Sequence, residues 1–571
     1  MTFSFLKKKL GKATPLTAAV STEANSRRDS NKKTTEASTV VELPNEPSID
    51  IFGGDEAAKA ANHHEQSMTL KYTMRYYYIA IIWAAIMAAP IIMEGYETAM
   101  VPNFFSFDAF QQKYGTRADD ALEWTIPTAW QSGITMSAAA GQLIGLWIAP
   151  RVVNRRGYRT CSAVGLIWAG LCLMLGFWSM DTGHPLVVFL IGELLLGVPW
   201  GLFQGITLPY VSDITPLKLK GIATTLINVF WLVGQMMSAA VMRGASQIAS
   251  AQWKVKAPML IQYSWLIPLL FLVYMAPESP LYLSRNDRDE QAKAALRRLN
   301  KDPLFNEEGT LAMIRAVNLH EKETSAAMGL RGCFRGINLR RTETAVIIYV
   351  TQQWVGTPLM FYSVRVLEKG GLSQDKALVL TIGMYALCIV STMVSSTVAM
   401  KFFGRRTLWI GGLAGEIACL GAIGTLSFHL RGKTSEPQDK GDLLQGGVPW
   451  AIAAFLILFA VIYNFTIGPL CYTIVAETPA TRLKAATNSL SRGIYILFAM
   501  LNLVLVPNLL EDRPVGIGLG TKAALIWAGS ATLCLIWAYF RLPEMKDRTP
   551  AEVDLLFENK VRARDWSKTV L

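Results

Sequence analysis

Apolar residues along this chain are gathered into long blocks, not into the alternating or amphipathic stripes of a water-soluble core. Twelve such blocks, each of about 20 residues or more, lie at 76–102, 126–150, 158–178, 186–209, 219–243, 258–276, 343–366, 375–400, 406–428, 448–475, 486–508 and 521–541. An α-helix of about 20 apolar residues can cross the hydrocarbon core of a bilayer. The pattern therefore predicts an all-α polytopic membrane protein with twelve transmembrane helices.

Polar segments divide the chain into five parts. Residues 1–75 are rich in Ser, Thr, Asn and Lys, which predicts a disordered N-terminal tail. Six apolar blocks form a first helical bundle over 76–276, and six more form a second bundle over 343–541. The segment 277–342 is predicted to be a helical bridge, because its QAKAALRRLN stretch has the periodicity of an amphipathic helix. Residues 542–571 are predicted to be a C-terminal tail.

Composition and charge agree with a protein in a lipid bilayer. Hydrophobic residues make up 51% of the 571 residues and charged residues 17%, which are too few charges to cover a soluble surface. The net charge of +12 does not indicate a nucleic-acid partner, because the basic residues flank the apolar blocks instead of forming a patch. Basic residues near membrane helices favour the cytoplasmic side. The Arg-rich bridge and both tails are therefore predicted to be cytoplasmic.

The sequence carries no signature of an enzyme or of a cofactor site. It has no GxxxxGK[ST] phosphate loop, so no motif indicates ATP as an energy source. Its seven cysteines include no CxxC pair, which argues against a zinc site and against a disulfide framework. We therefore expect no catalytic residues, no cofactor and no metal.

The two bundles resemble each other in sequence. NRRGYRT (154–160) recurs as KFFGRRT (401–407), and PYVSDITPLKLKG (209–221) recurs as CYTIVAETPATRLKA (471–485). A third match pairs PESP (277–280) with PEMKDRT (543–549), in the same order and at a similar offset. A duplicated six-helix unit is typical of transporters whose two halves rock about a central site.

These motifs also resemble a known family. PYVSDITPLKLKG, PESP, QQWVG (352–356), GRRT (404–407) and GPLCYTIVAE (468–477) together are similar to the sugar-porter branch of the major facilitator superfamily. Within it, IMEGYET, GVPWGLFQ, NVFWLVGQ and YSVRVLEKGG most resemble fungal maltose/α-glucoside:proton symporters. The resemblance implies the major facilitator fold. It also implies proton-coupled uptake of an α-linked disaccharide by alternating access, across a plasma membrane.

Three acidic residues lie inside apolar blocks of the first bundle, where an ionisable group costs about 2.5–3.5 kcal/mol. Glu94 and Glu97 are three residues apart and so share one face of the first helix, and Glu193 lies in the fourth block. Many sugar porters have arginine at the position of Glu193, so here carboxyl groups are expected to face one another. We predict that at least one of the three carries the coupled proton. The alternative is that they only bond to backbone or hydroxyl groups.

Sugar hydroxyls are bound by amides and hydroxyl groups, and the apolar face of a sugar ring packs on aromatic rings. The resemblance implies binding roles for Asn228, Gln352, Gln353, Tyr362 and Tyr472. Helix–helix hydrogen bonding, or ordinary core packing for the tyrosines, is the alternative.

Two further charges lie within apolar blocks. Arg492 is either a substrate donor or a counter-ion for a carboxylate. Glu416, in the ninth block, is expected to be structural.

The sequence departs from the family pattern at three cavity positions. Pro358 and Gly493 stand where asparagine is usual, and Gln142 stands where α-glucoside symporters typically carry glutamate. These departures weaken the implication of maltose as the substrate and of coupling through several carboxylates. They leave open a second function on the same fold, a facilitator or exporter of a glycosylated or polyol-like metabolite. A non-transporting nutrient sensor is disfavoured, because only about 30 residues follow the last block.

A set of charged residues recurs at the predicted cytoplasmic ends of the helices. Charge pairs among them would hold the two halves together when the central site opens outward. The residues predicted to form this cytoplasmic gate are Arg155, Arg156, Asp213, Glu278, Arg405, Arg406, Glu477, Arg482 and Glu544.

Overall fold

The computed structural model describes residues 55–566 and 569, except 106, 116–123, 125, 180, 328–329, 430–446, 480–482, 512–515, 547, 549–552 and 554–555. Regular secondary structure in this part of the chain is helical. The first half and the bridge contain α1 (Glu56–Ser67), α2 (Leu70–Tyr76), α3 (Tyr78–Ala88), α4 (Pro90–Phe104), α5 (Asp108–Tyr114), α6 (Thr128–Arg156), α7 (Tyr158–Ser179), α8 (Pro185–Ile214), α9 (Leu217–Ser246), α10 (Ala251–Leu260), α11 (Tyr263–Met275), α12 (Pro280–Arg285), α13 (Asp289–Leu299) and α14 (Glu307–Ala327).

The second half contains α15 (Ile337–Trp354), α16 (Pro358–Phe361), α17 (Ser363–Lys369), α18 (Gln374–Val394), α19 (Met400–Phe402), α20 (Arg405–Leu426), α21 (Gly447–Phe465), α22 (Ile467–Glu477), α23 (Lys484–Leu510) and α24 (Ala524–Arg541). A π-helical turn follows α18, and short 3-10 turns lie at Leu330–Phe334, Ser427–His429 and Gly520–Ala523. These helices belong to a single unit, 43–567.

Eleven helical segments in the described chain are long and apolar enough to cross a membrane. They coincide with eleven of the twelve predicted blocks, and the first of them joins α3 to α4 as Tyr78–Phe104. The remaining block, 343–366, was predicted to be one continuous span. The all-α polytopic fold is confirmed, and the exception has a local cause.

The seventh span is interrupted in its middle. Its first part, α15, begins earlier than predicted, at Ile337, and ends at Trp354. Gly356 has a φ of +95°, a conformation that stops the helix and that glycine adopts without strain. Pro358 then occupies the first turn of α16, where its missing N–H leaves no bond unmade. Broken helices are tolerated at membrane depth where they line a cavity, and Thr357 and Pro358 do so here.

Small residues allow the helices of the first half to pack closely. A Cβ atom added to Gly141 of α6 would lie 2.9 Å from Gly197 Cα of α8, and one added to Gly145 would lie 2.9 Å from Leu202 N. These distances are too short for a side chain, so the two backbones approach each other directly. Close backbone contact of this kind gives transmembrane helices their van der Waals attraction.

The two halves meet along two pairs of long helices. In one pair α9 packs on α18, and in the other α6 packs on α23. One end of the bundle carries the bridge helices α12–α14, and we call it the bridge side. On the opposite side an ion pair links the halves, with Arg243 Nε 3.2 Å from Asp375 Oδ1.

The prediction that residues 1–75 form a disordered tail is wrong for the last part of that segment. Residues 56–67 and 70–76 form α1 and α2, and α1 packs against α14 of the bridge. The cap of α1 is strong locally, because the Asp55 side chain accepts hydrogen bonds from two backbone N–H groups of the first turn. The rest of that tail, 1–54, lies outside the described residues.

Asp302 of the bridge holds this N-terminal segment. Tyr72 donates to Asp302 Oδ1 at 2.7 Å, Tyr77 donates to Oδ2 at 3.3 Å, and His64 Nε2 lies 3.2 Å from Oδ2. Burial alone would raise the pKa of Asp302, but hydrogen bonds from Tyr72, Leu304 and His64 lower it below its ordinary value. The hydrogen bond to Asp302 in turn raises the pKa of Tyr72 to about 12. The carboxylate therefore stabilises the docked segment in its charged form.

The C-terminal segment also packs on the bridge side. Trp566 and Phe557 are buried and stack edge to face, with ring centroids 4.9 Å apart. The guanidinium of Arg341 lies 4.7 Å from the Phe557 ring, and Arg340 Nη1 donates to the Val561 carbonyl at 3.1 Å. The described part of the predicted tail is thus anchored to the start of α15.

We predict that Asp302→Asn loosens the N-terminal segment. The substitution removes the charge that three donors share, and each hydrogen bond to a charged group contributes about 1.5–3 kcal/mol. Amide hydrogen exchange in 56–76 should accelerate by about tenfold or more. Asp289→Asn is the matched control, since Asp289 pairs with Arg315 within the bridge. Equal exchange in the two variants would contradict the role assigned to Asp302.

Candidate functional site

A cavity of about 570 Å³ lies between the two halves. It is lined mainly by α4, α6, α8 and α9 of the first half and by α15, α16, α21, α22 and α23 of the second. All nine residues predicted to bind protons or substrate lie on its wall: Glu94, Glu97, Glu193, Asn228, Gln352, Gln353, Tyr362, Tyr472 and Arg492. Chain segments up to about 400 residues apart thus converge on one site.

Two of the predicted carboxyl groups are in direct contact. The side chains of Glu97 of α4 and Glu193 of α8 face each other within hydrogen-bonding reach, and both are buried. Gln262, which lies between α10 and α11, donates to Glu97 Oε2 at 2.7 Å. A hydrogen bond between two carboxyl groups requires a proton on one of them. The pair is therefore a place where one proton can be held at the cavity wall.

The third carboxyl group belongs to a chain of polar contacts that crosses the cavity. Gln204 Nε2 of α8 donates to Glu94 Oε1. Arg492 of α23 donates to Gln204 Oε1 through Nη2 at 2.8 Å and through Nε at 3.2 Å. The guanidinium lies 4.2 Å from the ring centroid of Tyr495. Gln204 thus connects Arg492 to Glu94 through an amide, and the roles of counter-ion and of substrate donor both stay predictions for Arg492.

The predicted sugar-binding amides differ in whether their hydrogen bonds are already made within the protein. Gln352 Nε2 donates to the Gly468 carbonyl at 3.2 Å, which joins α15 to α22. The side chain of Gln353 lies close to Tyr495. Asn228 Nδ2 has no hydrogen-bond partner among the described residues. The helix–helix alternative thus holds in part for Gln352, whereas Asn228 presents a free donor.

Aromatic rings form part of the wall on the second half. Tyr472 and Tyr349 stack edge to face at 6.3 Å, and Tyr362 lies on the broken seventh span. Phe361 meets Trp231 of α9 edge to face at 5.3 Å, a contact between the two halves. These rings supply flat apolar surfaces next to the polar groups, the combination that a sugar ring needs.

The cavity extends toward the bridge side. Asn154, Pro209 and Arg285 line it there, and Arg285 belongs to α12 of the bridge. On the opposite side the halves touch through Trp231 and Phe361 and through the ion pair between α9 and α18. The structure is therefore a bridge-side-open state.

Two of the positions that depart from the family pattern lie on the cavity wall, whereas Glu416 lies away from it. Gln142 and Pro358 line the cavity, so the missing polar groups would have faced the site. Glu416 does not line it. It is fully buried in α20, near Cys419 and Cys534, and neither of its oxygens has a partner among the described residues. The expected structural pairing for Glu416 is not seen in this part of the chain.

The predicted gate residues form contacts at helix ends on the bridge side. Glu278 accepts from Tyr158 N at 2.9 Å and from Arg159 N at 3.1 Å, at the start of α7. A carboxylate at this position bonds two free N–H groups and complements the helix dipole. Burial raises the pKa of Glu278, while the backbone N–H groups act against that rise. Asp213 accepts from the Ser279 hydroxyl at 2.7 Å.

The second half repeats this arrangement. Glu544 accepts from Arg405 N at 2.8 Å and from Arg406 N at 3.1 Å, at the start of α20. Arg405 Nη2 also lies 3.2 Å from Glu477 Oε1. Arg155 and Arg156 are exposed at the end of α6, and Arg482 lies outside the described residues. Each of these contacts joins elements of one half, as expected for a state in which the halves are apart on this side.

Four residues important to the site were not predicted from the sequence: Gln204, Tyr349 and Tyr495 on the cavity wall, and Gln262, which donates to Glu97. A signal existed for Gln204, which follows Glu193 by eleven residues, about three helical turns, so both lie on one face. Tyr495 follows Arg492 by three residues, again one face. Nothing in the local pattern marks Gln262 or Tyr349.

Comparisons with known proteins also indicate a sugar transporter. The family model described as "Sugar (and other) transporter" matches residues 82–557. The General alpha-glucoside permease of Saccharomyces cerevisiae is 32% identical over 537 residues, which cover 92% of this chain and 83% of that protein. Maltose permease MAL61 of the same species is 30% identical over 523 residues, covering 90% of this chain and 81% of that protein.

Solved structures share the fold. The proton:xylose symporter XylE bound to 6-bromo-6-deoxy-D-glucose gives a TM-score of 0.65 at 19% identity, covering 85% of this chain and all of that one (100%). The inward open conformation of the xylose transporter XylE from E. coli also gives 0.65, at 17% identity, with 84% and 99% covered. These likenesses show the major facilitator fold.

Proposed function

This chain belongs to the sugar transporter family, and from that premise we propose that it takes up an α-glucoside together with a proton. The predicted resemblance to this family is confirmed, and the protein is a transporter, not an enzyme. The observation that carries the proposal is the pair of facing, buried carboxyl groups of Glu97 and Glu193 on the wall of a cavity between the two halves.

The substrate class follows from the relatives together with the wall of the site. The curated relatives are permeases for α-glucosides and maltose. The cavity offers the free amide donor of Asn228, the amides of Gln352 and Gln353, and the tyrosines 362 and 472. Uncharged amides and aromatic faces suit a neutral, hydroxyl-rich ligand.

Proton transport and sugar transport would be coupled because the proton and the sugar bind in the same cavity. A proton entering the Glu97–Glu193 pair and a sugar bound at the amides occupy one site, so the conformational change carries both across. Gln142 stands where an additional acid would give a further proton site. We infer a coupling of at most one proton per substrate, with Glu94, Glu97 and Glu193 as the only acids on the described wall.

The location and the gate complete the proposal. With the Arg-rich bridge and both termini in the cytoplasm, the structure is the cytoplasm-facing state of a plasma-membrane transporter. In the opposite state the bridge-side ends of the two halves would approach each other. Glu278 and Glu544 cap helices on that side. The charged residues at these helix ends would then pair between the halves and close the cytoplasmic gate.

The decisive experiment is uptake of a panel of radiolabelled sugars in a yeast strain without its own transporters, with and without a protonophore. We expect accumulation of an α-linked disaccharide that the protonophore abolishes, with alkalinisation of the medium at no more than one proton per sugar. Equilibration without accumulation, insensitive to the protonophore, would instead support a facilitator. Loss of preloaded glycoside or polyol would support an exporter.

We predict that Glu97→Gln and Glu193→Gln abolish accumulation against a gradient but keep downhill exchange. Glutamine preserves the size and part of the hydrogen bonding of glutamate, but it cannot exchange a proton. One proton moved through 100 mV contributes about 2.3 kcal/mol, so its loss removes about a fiftyfold gradient or more. Glu416→Gln is the control, because Glu416 lies outside the cavity. If both cavity variants concentrate sugar as well as the wild type, the proton site is elsewhere.

We also predict that Gln353→Ala and Asn228→Ala raise the KM for the transported sugar. Each lost bond to an uncharged hydroxyl contributes about 0.5–1.5 kcal/mol, which corresponds to a KM increase of about two- to tenfold. Gln352→Ala should in addition lower the amount of folded protein, since its amide also joins α15 to α22. The measurement is initial uptake rate against sugar concentration, normalised to surface protein. An unchanged KM in all three variants would place the sugar elsewhere.

A further inference from the structure

We propose that Gln204 is a positioning residue that transmits the charge of Glu94 in the first half to Arg492 in the second half. This inference rests on the proposed function, because it assigns Glu94 a change of charge during transport. Gln204 belongs to no set of residues that sequence reasoning selected. Its amide is nevertheless the single described link from a carboxyl group to the guanidinium across the cavity.

The geometry places one bond within a half and one between halves. Glu94 and Gln204 lie on α4 and α8 of the first half, whereas Arg492 lies on α23 of the second. The bonds from Arg492 Nη2 and Nε to Gln204 Oε1, at 2.8 and 3.2 Å, therefore cross the interface along which the halves move. A bond that forms between the halves in this state stabilises it relative to a state in which they have rotated.

An amide suits this position because it both donates and accepts. A carboxylate only accepts and a guanidinium only donates, so Gln204 must point its NH₂ at Glu94 and its oxygen at Arg492. A charged Glu94 draws the amide proton, which polarises the amide and makes its oxygen a better acceptor for Arg492. A protonated Glu94 provides less of this polarisation. The bond between the halves is then weaker.

The groups around Glu94 leave its link through Gln204 to Arg492 sensitive to the charge of Glu94. The other ionisable groups that act on Glu94 are Tyr472 and Tyr495 of the second half, in addition to Arg492. Glu97 and Glu193 lie on the same two helices but face each other. Glu94 Oε2 and Arg492 Nη1 have no partner among the described residues, so an arriving sugar hydroxyl could bond to either.

The link favours the bridge-side-open state, so its strength can be measured without any sugar. Asn154 is exposed on the cavity wall at the bridge side, and Asn154→Cys gives a reporter there. The rate at which a membrane-impermeant maleimide labels this cysteine reports how open that side is. The full chain is used in proteoliposomes inserted with the bridge side out, and the parent chain, with its own seven cysteines, gives the background.

The maleimide reacts with the thiolate, so each rate is divided by the rate at which the same reagent labels a free cysteine peptide at that pH. In the otherwise wild-type reporter, this normalised rate should fall by about two- to tenfold as the pH is lowered and Glu94 gains a proton, the range expected for one hydrogen bond. Gln204→Ala and Gln204→Met should slow labelling at high pH to a similar extent and should flatten its pH profile. Glu94→Gln should do the same. The double variant Glu94→Gln/Gln204→Met should be no slower than either single variant, because both remove the same link.

Gln142→Ala is the matched control, an amide on the same wall that does not stand between Glu94 and Arg492. It should keep the pH profile of the reporter. The inference is overturned if Gln204→Met retains that profile, or if the effects of the two single variants multiply in the double variant. If labelling behaves as expected while the wild-type chain shows no proton-dependent uptake, the link stands and the proposed function fails.

Discussion

A polar group inside a membrane-spanning bundle must find its hydrogen-bond partner within the protein, because hydrocarbon offers none. This constraint shapes the centre of the molecule. Of the three cavity carboxyl groups, Glu97 and Glu193 face each other, Gln262 donates to Glu97, and Gln204 donates to Glu94. Arg492 is the only described cation on the membrane-depth part of the wall, and it contacts Gln204 and the Tyr495 ring. Because several of these partners come from different helices, the polar contacts determine how the helices meet as well as what the cavity can bind.

The duplication of the fold produces symmetry at the ends of the helices but not in the middle. Glu278 and Glu544 cap α7 and α20 in the same way, each through two backbone N–H groups, which is the structural counterpart of the repeated PESP and PEMK motifs. The cavity is different, since its three acids lie in the first half and its guanidinium at membrane depth, that of Arg492, lies in the second. Two similar scaffolds thus carry opposite charges to a shared site, and relative movement of the halves changes how those charges interact.

Most of the fold could be predicted from the sequence, because apolar block length and motif order depend on local chemistry, and the membrane charges together with the family resemblance selected nine residues that lie on the cavity wall. The two exceptions have physical reasons. The seventh span is broken because Gly356 takes a positive φ ahead of Pro358, and only the backbone geometry shows that. The segment 55–76 appears polar enough to be disordered, yet Asp302, more than 200 residues away, gathers His64, Tyr72 and Tyr77 into a docked structure. Long-range partners of this kind leave no local pattern.

Burial inside the bundle does not by itself place a carboxyl group on the cavity wall, as Glu416 shows. It is as deeply buried as Glu97, but it faces α24 away from the cavity and has no polar partner among the described residues. Glu416 is not among the residues that line the cavity. Glu97 and Glu193 differ in having each other, the amide of Gln262 and access to the bridge side through one continuous space. A titratable group can couple transport only where partner and pathway coincide, and in this chain they coincide between the two halves.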